Sequence, residues 1–367
     1  MASQEVYMHR CLQLAQLAIG HVAPNPMVGA VLVHQERIIG EGYHRQYGHP
    51  HAEVNCIASV KKTDQKFIEH STLYVSLEPC AHFGKTPPCA DFIIENKIPK
   101  VVIGCQDPFA RVNGRGIEKL NAAGVQVETG ILETECKGLN KRFFKYHTHH
   151  RPYVILKWAQ SLDGKVANED HSRVYISNEF TNRIVHKWRG EEMAIAVGTN
   201  TALFDDPELT TRLWPGNNPV RIVIDMDLRL PKSLKLFNSP TPTIVFNTKQ
   251  HNLPLDKLST EQLKEIGVAY YQVTEDVSLV HQMLNALYSM GIQSVLVEGG
   301  PYLLQSFIDE GSWDEARILC NEKLTISAGL PAPVLKNQQL VHCEQLFTDV
   351  IRTYKNAKET NGILFHD

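Results

Sequence analysis

No apolar run in this 367-residue chain is long enough to cross a bilayer, which excludes a membrane-spanning helix. The opening MASQEVYMHRCLQLAQLAIG interrupts its apolar residues with Gln and His at helical spacing, so no secretion signal is expected and a cytoplasmic location is. Net charge is also scarce. Lys and Arg number 37 against 40 Asp and Glu, a formal −3, so no broad basic field invites nucleic acid or an anionic membrane. Eight cysteines in a chain of this length are too few for a disulfide scaffold. The dinucleotide fingerprint G-x-G-x-x-G is missing, as are internal repeats and low-complexity tracts. What remains, with 43% hydrophobic residues, is a soluble globular chain of about two domains with a small-molecule substrate.

The first 145 residues alternate short β-rich runs (MVGAVLV, RIIGEGYH, STLYVSL, KVVIGC, VQVET) with helical patterns (HAEVNCIASV, PPCADFIIENK, GIEKLNAAG). Such alternation predicts a three-layer α/β domain. KYHTHHRP, residues 145 to 152, reads as a polar linker ending at a proline, which sets the expected domains at 1–147 and 151–367. The second half is α/β again, with strands in YVILKWA, MAIAVG, VRIVIDM and TIVFNT and helices in NEFTNRIVHKWRG and SLVHQMLNALYSMG.

The chemistry of the first half starts at GHPHAEVNC. His51 and Glu53 stand two residues apart at the head of a helical segment, and about thirty residues on comes SLEPCAHFGKTPPCADFI. Pro79-Cys80 follows an apolar strand and Pro88-Cys89 opens a helix, so both cysteines are expected near helix N-termini, where partial positive charge favours thiolate. His51, Cys80 and Cys89 make a three-ligand zinc set, leaving one position for a water acidified by the metal. Glu53 is expected to carry the proton from that water to the leaving amine. This follows the H-x-E and P-C-x-x-C pattern of zinc deaminases, except that eight residues separate the two cysteines here. A structural zinc with His82 or His49 as fourth ligand is the competing reading.

APNPMVGAVLV, GEGYH, PHAEV, LEPCAHFGKTPPC and QDP…GRG together resemble the deaminase half of the RibD family of bifunctional riboflavin-biosynthesis enzymes. RPYVILKWAQSLDGKVA, DDPELTTR and VLVEGGPYLLQSF resemble the reductase half of the same family. The resemblance implies a cytidine-deaminase-like domain followed by a dihydrofolate-reductase-like α/β domain. It implies two reactions: hydrolytic deamination of a diaminopyrimidinone carrying a ribosylamino 5'-phosphate, then reduction of the ribosyl to ribityl with NADPH. It also places Asn25, His44, Lys85 and Asp107 around the deaminase substrate. Asn25 lies between two prolines that fix its backbone, and Lys85 adds a cation suited to a phosphate or carbonyl. Phe109 stands where many members carry Asn.

For the second half, SVLVEGGPYLL offers another way to hold a dinucleotide. A strand ends at Glu298, two glycines allow close backbone approach, and a helix opening near Pro301 aims its amides at a phosphate. By the resemblance, Gly300, Pro301, Tyr302, Leu303, Leu304, Gln305 and Ser306 line the NADPH site, with Ala159, Tyr175, Thr201 and Asp205. The same resemblance sets Arg173, Arg189, Leu209, Arg212 and Glu298 at the substrate. Two segments depart from the family: HSRVYIS, and ARILCNEKLTISAGLPAPVL, which lacks the usual Ala-Pro and Gly-Gly. The expected partners are the phosphorylated pyrimidine and further copies of the chain, as a dimer or tetramer. A monofunctional zinc deaminase with a non-catalytic second domain is the alternative.

Overall fold

The structure, a computed structural model, describes residues 3–83, 87–110, 112–170, 174–238, 240–252 and 260–360. The chain divides into two compact units, Met1–His149 and His150–Asp367. The division falls beside the expected boundary, but the segment read as a linker is not one. Residues 145 to 149 finish a helix, Lys141–His149, whose Phe143 and Lys145 are buried.

In the first unit, β1 (Gly29–His34), β2 (Arg37–Tyr43), β3 (Thr72–Leu77), β4 (Lys100–Cys105) and β5 (Gln126–Thr129) form one sheet in the order β2-β1-β3-β4-β5. The β1 pairings are antiparallel and β3-β4-β5 run parallel. Alternate strand residues sort to opposite faces. Ala30, Leu32, Leu73, Val75, Val101 and Ile103 pack under α2 (Ala52–Ala58), α3 (Cys89–Glu95) and α4 (Arg115–Ala122), through Ile57, Ile93 and Leu120. Val31, Val33, Tyr74 and Val102 face α1 (Gln4–Gln16) and α5 (Glu133–Leu139), through Met8, Leu12 and Cys136. That is the three-layer arrangement the alternation implied.

The second unit is built on nine strands: β6 (Tyr153–Ser161), β8 (Ala194–Val197), β9 (Val220–Ile224), β10 (Thr243–Asn247), β11 (Val268–Gln272), β12 (Ser294–Gly299), β13 (Glu315–Asn321), β15 (Gln338–Leu346) and β16 (Asp349–Asn356). Their order is β11-β10-β9-β8-β12-β6-β13-β16-β15, parallel as far as β13 and antiparallel beyond it. A separate pair joins β7 (Lys165–Asn168) to β14 (Gly329–Pro331). β8, β9 and β10 are buried on both faces, as continuous Val, Ile and Ala runs require in a covered parallel sheet. α7 (Glu179–Glu191) is capped by the Asn178 side chain, which accepts from the amides of Phe180 and Thr181. α10 (Leu279–Ser289) and α11 (Pro301–Asp309) bury Met283, Leu287, Leu304 and Phe307 in the main core. No helix among the described residues is long and apolar enough to cross a membrane.

Candidate active sites

Three elements converge in the first unit. His51 is the N-terminal cap residue of α2, in extended backbone, and its side chain makes no capping bond. Glu53, in the first turn, is 3% exposed. Cys89 is the first residue of α3, directly after Pro88 in the cap position, which makes no capping bond. Cys80 does not sit at a helix N-terminus as expected; it lies in the irregular segment after β3. The electrostatic consequence survives by another route, because the Cys89 amide at the head of α3 donates to Cys80 Sγ at 3.3 Å.

His51 Nδ1 lies 3.3 Å from Cys89 Sγ and 3.7 Å from Cys80 Sγ, and the three ligand atoms fall within 4.8 Å of one another. Tetrahedral zinc, with bonds near 2.3 Å to sulfur and 2.0–2.1 Å to nitrogen, holds such atoms roughly 3.5–3.8 Å apart, so the set fits. The Cys89 thiol, with help from His51, draws the Cys80 thiol down to about 4. Cys89 is raised in turn, because the proton between the two sulfurs resides on it. Burial lifts the Glu53 carboxyl above its ordinary range. Neither His82 nor His49 belongs to a group that could hold a metal among the described residues, which leaves three candidate ligands.

Beside this cluster, His44 Nδ1 faces the Pro50 carbonyl at 3.1 Å and His44 Nε2 faces Asn25 Nδ2 at 3.1 Å. The carbonyl requires a proton on Nδ1, so Nε2 accepts from the Asn25 amide and the Asn25 oxygen remains the acceptor toward a ligand. Burial holds His44 below the ordinary imidazole range, which keeps it neutral. The His44 ring meets the His51 ring edge-on at 5.1 Å between centroids. Asp107 is buried after β4, and burial raises its carboxyl to about 7. Lys85 lies outside the described residues.

Glu78 is a residue that sequence reasoning passed over. Its buried carboxylate accepts from the amides of Asp107, Gly114, Gly116 and Ile117 at 2.9 to 3.3 Å. This ties the Cys80 segment to the loop carrying Asp107, and a side chain at Gly116 would strike the Pro79 carbonyl at 2.0 Å. The available signal was an acid ending an apolar strand immediately before Pro-Cys.

The second unit holds a cavity of about 810 Å³ at the carboxyl ends of β6, β8 and β12. Ala159, Tyr175, Thr201, Asp205, Gly300, Pro301, Tyr302, Leu303, Leu304 and Ser306 line it, as do Arg189, Leu209, Arg212 and Glu298. Gln305 is not in the lining. Its side chain turns to the backbone of Val334, accepting from the amide at 2.9 Å and donating to the carbonyl at 3.4 Å. Arg173 lies outside the described residues. Leu330 and Pro333, from the segment that departs from the family pattern, close part of the wall. Gly299 and Gly300 let β12 turn into α11 against Thr201, whose Oγ1 would sit 3.0 Å from a Cβ at Gly300.

At the cavity floor Arg189 grips Glu298 with two bonds of 2.7 Å, and Lys157 Nζ stands 3.6 Å from the same carboxylate. Burial disfavours all three charges, yet Arg189 and Lys157 together hold Glu298 down to about 2. Lys157 was missed by sequence reading, although a lone cation inside the apolar strand YVILKWA was a usable signal. Behind it, burial and the neighbouring Arg189 and Arg212 depress His186 to about 4.

Residues 1–105 match the family described as the cytidine and deoxycytidylate deaminase zinc-binding region, and residues 152–349 match the RibD C-terminal domain. The riboflavin biosynthesis protein RibD of Aquifex aeolicus is 41% identical over 87% of this chain and 86% of its own, and that of Escherichia coli is 34% identical over 87% and 88%. A Thermotoga maritima diaminohydroxyphosphoribosylaminopyrimidine deaminase/5-amino-6-(5-phosphoribosylamino)uracil reductase superposes with a TM-score of 0.84 at 36% identity, covering 96% of this chain and 98% of that one. The Acinetobacter baumannii RibD superposes with the same score at 30% identity and the same coverage.

Proposed function

The chain belongs to the RibD family, the bifunctional deaminases and reductases of riboflavin biosynthesis, and from that premise we infer which of its residues carry each step. It uses zinc and NADPH. The single observation that carries the assignment of residues is the convergence of His51, Cys80 and Cys89 beside a buried Glu53, in a chain that also holds a charged cavity at the ends of β6, β8 and β12.

In the first unit, residues 1–147 form the deaminase domain, and His51 Nδ1 and the sulfurs of Cys80 and Cys89 hold the zinc. Bound there, the metal supplies an acidified water for attack on the amino-bearing ring carbon. Glu53 takes the proton of that water and returns it to the departing amine, a task suited to a carboxyl whose burial raises its proton affinity. Asn25, fixed by neutral His44, presents its oxygen to an N–H of the pyrimidine. Asp107, on the loop that Glu78 organises, and Lys85 serve the ribosyl phosphate side of the ligand.

In the second unit, residues 151–367 form the reductase domain, and NADPH supplies the hydride for the ribosyl carbon. The head of α11 from Gly300 to Leu304, with Ser306, receives the cofactor together with Ala159, Tyr175, Thr201 and Asp205. Arg189, Arg212, Leu209 and Glu298 face the pyrimidine and its phosphate, and Lys157 joins them as a donor buried at the floor. The buried cluster argues against a merely oligomerising second domain, since an ion-paired floor costs desolvation that a packing surface avoids. The working protein is a cytoplasmic homo-oligomer, consistent with eight cysteines that are all free.

The test is incubation of purified protein with the diaminopyrimidinone ribosylamino phosphate, with and without NADPH, and identification of the products by mass. Ammonia release alone is expected without NADPH, and an additional gain of two hydrogens with it. Deamination without reduction would favour the monofunctional alternative.

A further inference from the structure

Among the described residues, four cations line the cavity of the second unit: Lys157, Arg189, Arg212 and Lys235. Two of them are already committed. Arg189 and Lys157 are buried and share Glu298, the first through bonds of 2.7 Å and the second at 3.6 Å. The other two are held loosely. The Arg212 side chain is 51% exposed and 3.6 Å from Glu208, and the Lys235 side chain is 53% exposed with its Nζ 3.8 Å from Asp206. Half-exposed ion pairs of this length contribute little, so an arriving anion can draw both cations off their carboxylates at small cost.

The backbone fixes where Lys235 stands. α8 (Thr199–Asp205), at 1.5 Å per residue, carries the chain about 10 Å from one end of the cavity to the other. Its first turn sets Thr201 against Gly299 and Gly300, the cofactor end. Its tail passes through Asp206, in the left-handed region at φ 38°, toward Leu209 and Arg212, the substrate end. There the Asp206 carboxylate accepts from the Lys235 amide at 2.8 Å. Leu234 and Leu236, on either side of Lys235, are buried in the same apolar cluster as Leu209. Lys235 is thus anchored at the tail of α8, away from the glycine turn that receives the cofactor. A phosphate monoester carries about two negative charges near neutral pH, more than one loosely held arginine neutralises. A lysine adds the second positive charge on a flexible stem. We propose that Lys235 closes with Arg212 on the ribosyl phosphate, which makes the second unit select the 5'-phosphorylated substrate over its dephosphorylated form. This deepens the reductase reading and rests on it.

Lys235→Ala keeps the main-chain bond to Asp206, so the loop stays in place while the charge is removed. In steady-state NADPH oxidation with the deaminated substrate, Lys235→Ala is expected to raise KM for that substrate by about tenfold and to leave kcat within about twofold. Lys235→Arg should restore most of the loss, and KM for NADPH should be the same in all three proteins. With the dephosphorylated substrate, wild type and Lys235→Ala should give equal KM. An unmoved substrate KM, or an equal penalty on the dephosphorylated form, would overturn the phosphate role while leaving the reductase reading intact. A rise in KM for NADPH without one for the substrate would also overturn it, and would assign Lys235 to a cofactor phosphate. Wild-type protein that oxidises no NADPH with the deaminated substrate would overturn the reductase reading and the phosphate role together.

Discussion

Arg189 meets both carboxylate oxygens of Glu298 at 2.7 Å, pinning the end of β12 to α7 at the floor of a charged cavity. Glu298 is also the counter-charge for Lys157, so one carboxylate neutralises two buried cations. Removing it by Glu298→Ala leaves both uncompensated, a change that costs about 3–5 kcal/mol. Urea denaturation of the second unit should register that loss, with NADPH oxidation abolished and ammonia release retained. A cost under about 1 kcal/mol would mean that the cations find other partners.

His186 makes the same unit sensitive to acid. Its folded value is depressed from 6.5 to about 4, so between those limits the unfolded chain takes up a proton that the folded chain refuses. Stability is therefore complete above about pH 6.5 and falls as the pH drops toward 4. His186→Gln should flatten this slope in urea midpoints measured from pH 7 to pH 4. An unchanged slope would assign the acid sensitivity to other groups.

Glu53→Gln leaves His51, Cys80 and Cys89 untouched, so zinc content by atomic absorption should remain at one per chain. Ammonia release should fall by at least ~10²-fold, the usual share of a general acid–base residue. A near-normal rate would remove Glu53 from the proton path.

Chelation separates the two activities. Extracting zinc should abolish ammonia release yet leave NADPH oxidation intact when the already deaminated pyrimidine is supplied, because no residue of the second unit's cavity belongs to the metal cluster. Loss of both activities together in folded protein would require one composite site.

Arg212 lines the cavity with a half-exposed side chain and an ion pair to Glu208 at 3.6 Å. Arg212→Ala should raise KM for the deaminated substrate by about tenfold to a hundredfold, as expected for a charge-assisted phosphate contact, with little change in protein stability. Steady-state NADPH oxidation checks this, and an unchanged KM would place the phosphate elsewhere.

The sequence by itself singled out His51, Cys80 and Cys89 as candidate metal ligands, because they sit in short proline-marked segments whose residue types and order already limit the chemistry, and the structure brings their ligand atoms within 4.8 Å of one another. It also determined the layered α/β class, since short β-rich runs alternate with helical patterns along both halves. Local pattern failed at residues 145 to 149, where a polar His-rich stretch finishes a helix because Phe143 and Lys145 on the same helix are buried. Only the tertiary structure decided that Lys157, Arg189 and Glu298 form one buried charge cluster. β12 pairs with β6 in a register that aligns Val297 with Leu156, so the next residues, Glu298 and Lys157, become neighbours, and α7 brings Arg189 onto them. Their separation along the chain carries no trace of that meeting, because desolvation and ion pairing depend on what the strand order places alongside. The same holds for Glu78 and Gln305. Glu78 follows the end of β3 and Gln305 lies midway along α11, and the partner of each, the amides near Gly114 or the backbone of Val334, arrives from a distant loop.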